Sequence, residues 1–240
     1  MTQRITQGRH SACVVYLGHS WMMMTTKQAN YYLVVMGKAG SGKTTTCNQL
    51  LGSEQFRVYK GNEGTTRTVQ LKVKKTDGIR LTVIDTPDVF NLTLDDETAM
   101  QEFRKWESYV TTPGHIAVLL TVRLDVRFTP NDYNTYKRYQ SLLPRNLRDN
   151  IILAFTRVQD LKGNILDEVK LSTVNDLLKD ALGRQVTFSK SEGNTSETGQ
   201  NKDKIMTWMR EMPQMADGPL RCYECIQVAV LDNVYTHTVT

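Results

Sequence analysis

The sequence has no long hydrophobic run and few cysteines. No apolar stretch in its 240 residues approaches the roughly 20 residues that a transmembrane helix needs, so we expect no transmembrane segment. Ala12 to Leu17 is a short apolar run behind basic residues, but no small-residue cleavage pattern follows it, and we do not expect export. The four cysteines are too scattered for a disulfide framework, and the Cys222–Cys225 pair lacks the companions of a metal site. We therefore expect free thiols and a cytoplasmic location.

The sequence also lacks a strong excess of either charge. It has 30 Lys and Arg against 25 Asp and Glu, which leaves a net charge of +5 and a pI near 9.0. The charged residues are interleaved along the chain. This balance is compatible with an anionic ligand or an acidic membrane surface, and we expect no nucleic acid partner.

Residues 37–44, Gly-Lys-Ala-Gly-Ser-Gly-Lys-Thr, fit the phosphate-binding pattern G-x-x-x-x-G-K-[ST]. The apolar run 31–36 before them predicts a buried parallel strand, and residues 43–51 predict a helix. The glycines let backbone amides turn toward phosphate oxygens, and the helix amino end adds partial positive charge. We expect Lys43, as an exposed loop lysine, to reach the β- and γ-phosphates, and the Thr44 hydroxyl to bind Mg²⁺.

An acidic motif follows a later strand. Residues 68–74 alternate, Asp77-Gly78 is a turn signal, and residues 79–84 are apolar, which predicts two strands of a hairpin. The second strand ends in Asp85, Thr86 and Pro87. An acid at the carboxyl end of a strand beside the phosphate loop can hold Mg²⁺ through water, and we assign this role to Asp85.

Strand and helix patterns alternate along the rest of the chain. Helices are predicted over 95–110, 129–143, 167–181 and from about 205 to 215; strands are predicted over 116–122, 151–155 and 185–188. Residues 189–204 are rich in Gly, Ser, Thr and Asn and predict a loop. The alternation predicts an α/β fold, a mostly parallel six-stranded sheet flanked by helices. We divide the chain into an N-terminal extension of uncertain order, 1–28, before the first strand, a domain at 29–215 and a C-terminal extension at 216–240.

The motifs resemble those of a GTPase family. A phosphate loop, an Asp-Thr-Pro and then a Thr-Arg-x-x-Asp follow the order of translation-factor-class GTPases. Residues 113–124 and 127–132 resemble the conserved box of the immunity-associated GTPases, the GIMAP or avirulence-induced family. Residues 155–157 with 160–161 also resemble this family, and Gly183-Arg184 with Val186 and Phe188 resembles its Gly-Arg segment before the fifth motif. The resemblance covers about residues 30–215. It implies a P-loop NTPase of the Ras-like G domain type that binds GTP or GDP with Mg²⁺ and hydrolyses GTP.

The resemblance also implies a set of site residues. The nucleotide would contact Gly37, Lys38, Ala39, Gly40, Ser41, Gly42, Lys43, Thr44, Thr45, Thr66, Asp85, Arg157, Asp160, Ser189 and Lys190. Thr44, Thr66 and Asp85 would hold the metal, with Thr66 as the switch threonine and Thr65 and Thr68 as alternatives. Asp160 would accept two hydrogen bonds from guanine donors that adenine lacks.

Several positions depart from the family pattern. Asp88 replaces the glycine after Asp-Thr-Pro, and two unit charges about 5 Å apart repel by roughly 3 kcal/mol at an effective dielectric near 20. Val158 replaces a lysine that packs over the base, and Ser189-Lys190 replaces an Asn pair. No glutamine follows Asp-Thr-Pro to orient an attacking water, so we expect slow hydrolysis.

We expect a nucleotide-dependent homodimer, because the phosphate loop contains no arginine to neutralise charge during transfer. GTPases that resemble this one associate through their nucleotide faces, and a symmetric pair would bring Arg127, or alternatively Arg123, to the partner's phosphates. The predicted catalytic residues are thus Lys43, Thr66 and Arg127. Two alternatives stay open: a nucleotide-stabilised interaction scaffold with little turnover, and an adenine-nucleotide ATPase or small-molecule kinase.

Overall fold

The computed structural model describes ten stretches of the chain, residues 2–7, 10–17, 20–25, 28–58, 66–76, 78–90, 96–126, 128–157, 172–189 and 195–215. The strands are β1 (Thr2–Gln7), β2 (His10–Leu17), β3 (Ser20–Thr25), β4 (Ala29–Met36), β5 (Gln70–Thr76), β6 (Ile79–Asp85), β7 (Gly114–Arg123), β8 (Ile151–Thr156), β9 (Gln185–Phe188) and β10 (Gln214–Met215). The helices are α1 (Lys43–Leu51), α2 (Asp96–Ser108), α3 (Pro130–Leu142), a 3₁₀ turn (Arg145–Leu147), α4 (Ser172–Asp180) and α5 (Thr195–Glu211).

The central sheet has the strand order β5-β6-β4-β7-β8-β9. All neighbours along it are parallel except β5 and β6, which form the predicted antiparallel hairpin. The two-residue β10 adds to the start of β7 in antiparallel orientation. This arrangement confirms the predicted six-stranded, mostly parallel sheet. Because parallel strands share a direction, their carboxyl ends place the loops after β4, β6, β7 and β8 at one edge.

Helices cover both faces of the sheet, which explains why its central strands are apolar throughout. In β4, Val34 and Met36 belong to the core formed with α2, α3 and α4, whereas Leu33 and Val35 belong to the core formed with α1 and α5. Both sets are fully buried. Alternate β4 side chains therefore anchor opposite helical layers, and this fixes the position of the loop that leaves the end of β4.

Local signals set two helix boundaries as predicted. Thr129 caps α3: its hydroxyl accepts from the Asp132 amide, the Asp132 carboxylate accepts from the Thr129 amide, and Pro130 fills the first turn. Gly52 ends α1 at φ 72°, where its amide donates to Asn48 and Gln49 carbonyls. These ends depend on residues close in sequence, which is why the pattern alone located them.

The last helix begins earlier than predicted. Residues 195–204 were expected to form a loop, yet α5 runs from Thr195 to Glu211. The Asn201 side chain is buried and donates to the Thr187 carbonyl of β9, and the Thr187 hydroxyl donates to Glu197. Polar residues of low helix propensity are thus held in α5 by hydrogen bonds to β9. The amino-acid composition of a short segment does not predict such contacts.

The amino-terminal region also differs from expectation. The sequence predicted no strand before residue 29, but β1, β2 and β3 form a three-stranded antiparallel sheet. These strands are defined by their backbone pairing with one another, whereas the side-chain pattern of this region did not predict strands. Cys222 and Cys225 lie outside the described residues. Within the described part of the chain, every helix is too short or too polar to cross a lipid bilayer.

Candidate functional site

The phosphate loop lies between the end of β4 and the start of α1, packed against β7. Gly37, Gly40 and Gly42 have φ values of 145°, 71° and 89°, a region that side chains rarely adopt. At Gly37 a Cβ would lie 2.4 Å from Thr121 Oγ1 and 2.7 Å from the Thr121 carbonyl oxygen, so no larger residue fits without a shift. The sequence analysis did not identify Thr121 as a support of this loop.

Two threonines hold the middle of the loop. Thr121 Oγ1 lies 2.6 Å from Ser41 Oγ and donates to the Met36 carbonyl at 3.0 Å. The Thr156 hydroxyl donates to the Ser41 carbonyl at 2.7 Å. Since these threonines belong to β7 and β8, the two strands hold the loop in its arc between β4 and α1.

Lys43 is buried rather than exposed as the sequence analysis expected, with 6% of its surface accessible. Its Nζ donates to the carbonyls of Gly37 at 2.8 Å and Lys38 at 3.0 Å. Burial lowers the pKa of Lys43, while the Asp85 and Asp88 carboxylates oppose that change. The side chain thus folds back across its own loop, and its ammonium group lies within the arc.

Thr44, Thr66 and Asp85 come together beside the loop. Thr44 Oγ1 donates to Asp85 Oδ2 at 2.8 Å, Thr66 Oγ1 donates to the same oxygen at 3.3 Å, and the two hydroxyls are 3.1 Å apart. Burial raises the pKa of Asp85, partly offset by the Thr44 hydrogen bond and by Lys43. Of the two alternatives to Thr66, Thr68 is exposed and Thr65 lies outside the described residues.

These oxygens fit a hard cation. Among the described residues, Asp85 Oδ1 is buried without a hydrogen-bond partner, and a buried carboxylate oxygen is a preferred magnesium ligand. The described part of the chain contains no group of three His, Cys, Asp or Glu side chains that could hold a metal. A cation here would therefore depend on hydroxyl, water and phosphate oxygens, as Mg²⁺ in nucleotide sites does.

Asp88 contacts the phosphate loop directly. Its Oδ2 accepts from the Ala39 amide at 2.7 Å, and its Oδ1 accepts from the Tyr139 hydroxyl at 2.6 Å and the Phe90 amide at 2.9 Å. Sequence reasoning anticipated a carboxylate near this position but missed Tyr139, which is 102 residues from the Gly37 carbonyl that its hydroxyl also contacts at 3.0 Å.

Ion pairs order the charged residues around the loop. Asp125 accepts from Arg123 Nε at 2.7 Å and Nη2 at 2.6 Å, and from Arg157 Nη1 at 3.2 Å. Lys38 pairs with Asp132 at 2.6 Å. Arg157 has a φ of 61°, so the chain bends sharply after β8.

The remaining predicted residues are distributed as follows. The Ser189 carbonyl accepts from Gln49 Nε2 of α1 at 2.7 Å. Thr45 lies in the first turn of α1, half-buried. Arg127, Val158, Asp160 and Lys190 lie outside the described residues, so their roles stay predictions.

A model of the AIG1 family matches residues 31–229. The chain belongs to the AIG1 family. This confirms the resemblance to the immunity-associated GTPases. Immune-associated nucleotide-binding protein 7 of Arabidopsis thaliana is 33% identical over 175 residues, which cover 72% of this chain and 51% of that protein. GTPase IMAP family member 8 of Homo sapiens is 28% identical over 167 residues, which cover 69% of this chain and 25% of that protein. This AIG1-family chain thus spans about half the length of the plant relatives it matches.

Solved structures of similar fold are P-loop GTPases. Toc33 from Arabidopsis thaliana in complex with GDP and Mg²⁺ has a TM-score of 0.59 and 16% identity, and covers 78% of this chain and 87% of its own. Era in complex with MgGDPNP and ribosomal RNA has a TM-score of 0.54 and 18% identity, and covers 78% of this chain and 58% of its own. These likenesses confirm the predicted P-loop GTPase fold.

Proposed function

We propose that this AIG1-family chain is a guanine-nucleotide switch that binds GTP or GDP with Mg²⁺ and hydrolyses GTP slowly. The observation that carries the proposal is one juxtaposition: the ammonium of Lys43 lies within the arc of the phosphate loop, beside the oxygen cluster of Thr44, Thr66 and Asp85. We assign the activity to residues 29–215, with 1–28 and 216–240 as extensions, and infer a cytoplasmic location from the scattered cysteines.

Each group has a chemical task in this proposal. The loop amides and the amino end of α1 bind phosphate oxygens, and Lys43 adds a full positive charge. Thr44, Thr66 and Asp85 would hold Mg²⁺, which neutralises charge on the β- and γ-phosphates when bound. Thr66 lies between α1 and β5, so a contact to the cation would couple the nucleotide state to the chain that leads into β5.

The names of similar proteins support the ligand class. The plant relatives are called nucleotide-binding, the human relative is called a GTPase, and Toc33 was solved with GDP and with GMPPNP, each with Mg²⁺. We transfer guanine nucleotide and Mg²⁺ to this chain as a proposal, with Asp160 as the residue that selects the base.

The test of base and phosphate is a release assay on the purified protein. We expect denaturation to release guanine nucleotide, and GDP to raise the melting temperature where ADP does not. Asp160→Asn should weaken GDP binding by about 1 to 3 kcal/mol, because a donor on the base loses its charged acceptor. Release of adenine nucleotide, or equal stabilisation by ADP, would instead support the ATPase or kinase alternative.

We further propose that turnover depends on dimerisation. Dimerisation is important for the GTPase activity of the chloroplast translocon components, to which this chain is similar in fold, and one Toc33 variant is dimerisation-deficient. Arg123 is already held by two hydrogen bonds to Asp125 in its own chain. We therefore keep Arg127 as the first choice for an arginine supplied to the partner, which can raise turnover by roughly 10³ to 10⁵.

Specific activity measured across protein concentrations tests this dimer. We expect it to rise with concentration, and Arg127→Ala to flatten the rise without changing GDP affinity. Arg145→Ala is the control, because the 3₁₀ turn precedes β8 and so lies at the opposite edge of the sheet. A rate that does not depend on concentration would leave a monomeric switch.

The second candidate is a nucleotide-stabilised scaffold with little turnover. The contact of Asp88 with the Ala39 amide favours it, since a carboxylate at this position competes with phosphate oxygens. Nucleotide binding without GTP hydrolysis at any protein concentration would establish this alternative.

A further inference from the structure

Asp88 follows the end of β6 and forms a hydrogen bond with the phosphate loop. Its carboxylate is buried, with 7% of the residue accessible, and accepts from the Ala39 amide at 2.7 Å. Backbone amides of this loop are the donors that bind phosphate oxygens. A carboxylate oxygen and a phosphate oxygen are both anionic acceptors, so Asp88 engages a donor that a phosphate would otherwise use.

The position of the cation cluster indicates which phosphate is affected. Asp85 lies three residues before Asp88, and Mg²⁺ in nucleotide sites bridges β- and γ-oxygens. The last phosphate of a triphosphate would thus lie between this cluster and the loop. The Asp85 and Asp88 carboxylates both interact electrostatically with Lys43, which connects Asp88 to this region. A diphosphate lacks this last phosphate and would leave the Ala39 contact in place.

The carboxylate is held from a second direction. Tyr139 donates to Asp88 Oδ1 at 2.6 Å and is itself 1% accessible, and the Phe90 amide donates to the same oxygen at 2.9 Å. The Phe90 ring packs edge-on against Tyr139, with centroids 4.8 Å apart. Because three donors and a packed aromatic pair fix the carboxylate, moving it breaks several contacts at once.

We infer that Asp88 and Tyr139 form a latch that makes the site select by phosphate number. GDP binds with the Asp88–Ala39 contact intact, whereas a triphosphate must displace the carboxylate and meet its negative charge. This inference rests on the proposed guanine-nucleotide function and adds to it a preference for the diphosphate. The resting state of the switch is then the GDP form, and a partner that moves Asp88 would promote GTP loading.

The test compares affinities for GDP and the non-hydrolysable GMPPNP in Mg²⁺, by calorimetry on the full chain. We expect the wild-type protein to favour GDP by about tenfold or more, equivalent to about 1.4 kcal/mol. Asp88→Gly should bind GMPPNP at least about tenfold more tightly than wild type, with GDP affinity within about threefold. Asp88→Asn keeps the shape but removes the charge, and should recover part of this gain.

Two tyrosines of α3 provide a matched pair. Tyr139→Phe removes the hydroxyl that holds Asp88, and we expect the GDP preference to fall by about threefold to tenfold. Tyr136→Phe removes an equally buried hydroxyl that donates to the Thr121 carbonyl at 2.9 Å. The Tyr136→Phe control should leave the ratio of the GDP and GMPPNP affinities unchanged.

The outcomes separate the latch from the proposed function. If GDP binds but neither Asp88 variant changes the ratio, the latch is wrong and the guanine-nucleotide function stands. Equal shifts in both tyrosine variants would also overturn the latch. If no guanine nucleotide binds to the wild-type protein, both ideas fail together. Should Asp88→Gly not fold, judged by circular dichroism, the isosteric Asp88→Asn decides the question.

Discussion

Thr44 and Asp85 are joined by a hydrogen bond of 2.8 Å from the threonine hydroxyl to Asp85 Oδ2. The other carboxylate oxygen, Oδ1, is buried and has no hydrogen-bond partner among the described residues. The first turn of α1 and the end of β6 thus meet at the Asp85 carboxylate. Its Oδ2 accepts a hydrogen bond from Thr44, and its Oδ1 could bind a cation. Burying an unpaired oxygen is costly, and a cation would offset that cost.

We expect Asp85→Ala to weaken GMPPNP binding more than GDP binding in Mg²⁺, since a cation held by Asp85 would neutralise the charge that the third phosphate adds. EDTA should abolish the difference between wild type and variant. Thr66→Ala should act in the same direction, whereas Thr68→Ala, an exposed neighbour, should not. Equal losses for both nucleotides, with or without EDTA, would contradict the assignment of Asp85 to the metal.

Lys43→Ala should lower GDP affinity by about 2 kcal/mol or more, because a charge-assisted contact to phosphate is lost. Since Lys43 also donates to two loop carbonyls, we expect a small drop in melting temperature in the absence of nucleotide. Lys179→Ala is the control, as its side chain is exposed on α4 and pairs with Asp176. Calorimetric titration that finds equal GDP affinities for both variants would remove Lys43 from the phosphate site.

Gly37→Ala should destabilise the fold by about 2 kcal/mol or more, because the new Cβ meets Thr121 and the backbone is strained. Gly78 is the matched control: it also has positive φ, at 72°, but no atom of the described residues beyond its chain neighbours lies within 4 Å of its Cβ position. Gly78→Ala should cost only the backbone strain, about 1 kcal/mol. Urea unfolding measures both, and similar losses would show that Thr121 does not constrain Gly37.

Asp125→Asn should affect stability in a pH-dependent way. The hydrogen bonds from Arg123 lower the pKa of Asp125 in the folded protein. A lowered folded pKa stabilises the fold above the unfolded value of about 3.9, and this stabilisation is lost as the pH falls through the folded pKa. Because the Arg123–Asp125 pair is partly exposed to solvent, we expect Asp125→Asn to lower the free energy of unfolding by less than about 1 kcal/mol at pH 7.

The free energies of unfolding of the variant and the wild type, measured in urea, should converge as the pH falls through the lowered folded pKa of Asp125, where the carboxyl becomes protonated. Asp176→Asn is the control, since Asp176 forms an exposed ion pair with Lys179 within α4. It should change stability little at either pH. A constant difference for Asp125→Asn across this pH range would argue against an electrostatic origin.

Much of the fold was predictable because its signals are local. The glycine spacing of residues 37–42 requires backbone conformations that only glycine adopts readily, and Thr129 with Asp132 closes a capping box over four residues. The apolar runs of β4, β7 and β8 indicated strands buried on both faces. Thr44 and Asp85 were paired from the order of motifs, and the structure brings them together.

The amino-acid sequence by itself determined the strand-loop-helix unit, the order of the strands and helices from β4 to α5, and the residue types available to bind phosphate. Only the tertiary structure decided that Lys43 is buried, that α5 begins at Thr195 and that Asp88 contacts Ala39. Asp88 and Ala39 are 49 residues apart, and Tyr139 is 51 residues beyond Asp88. Such contacts form because the parallel sheet aligns the ends of separate strands at one edge, a condition that no local pattern encodes.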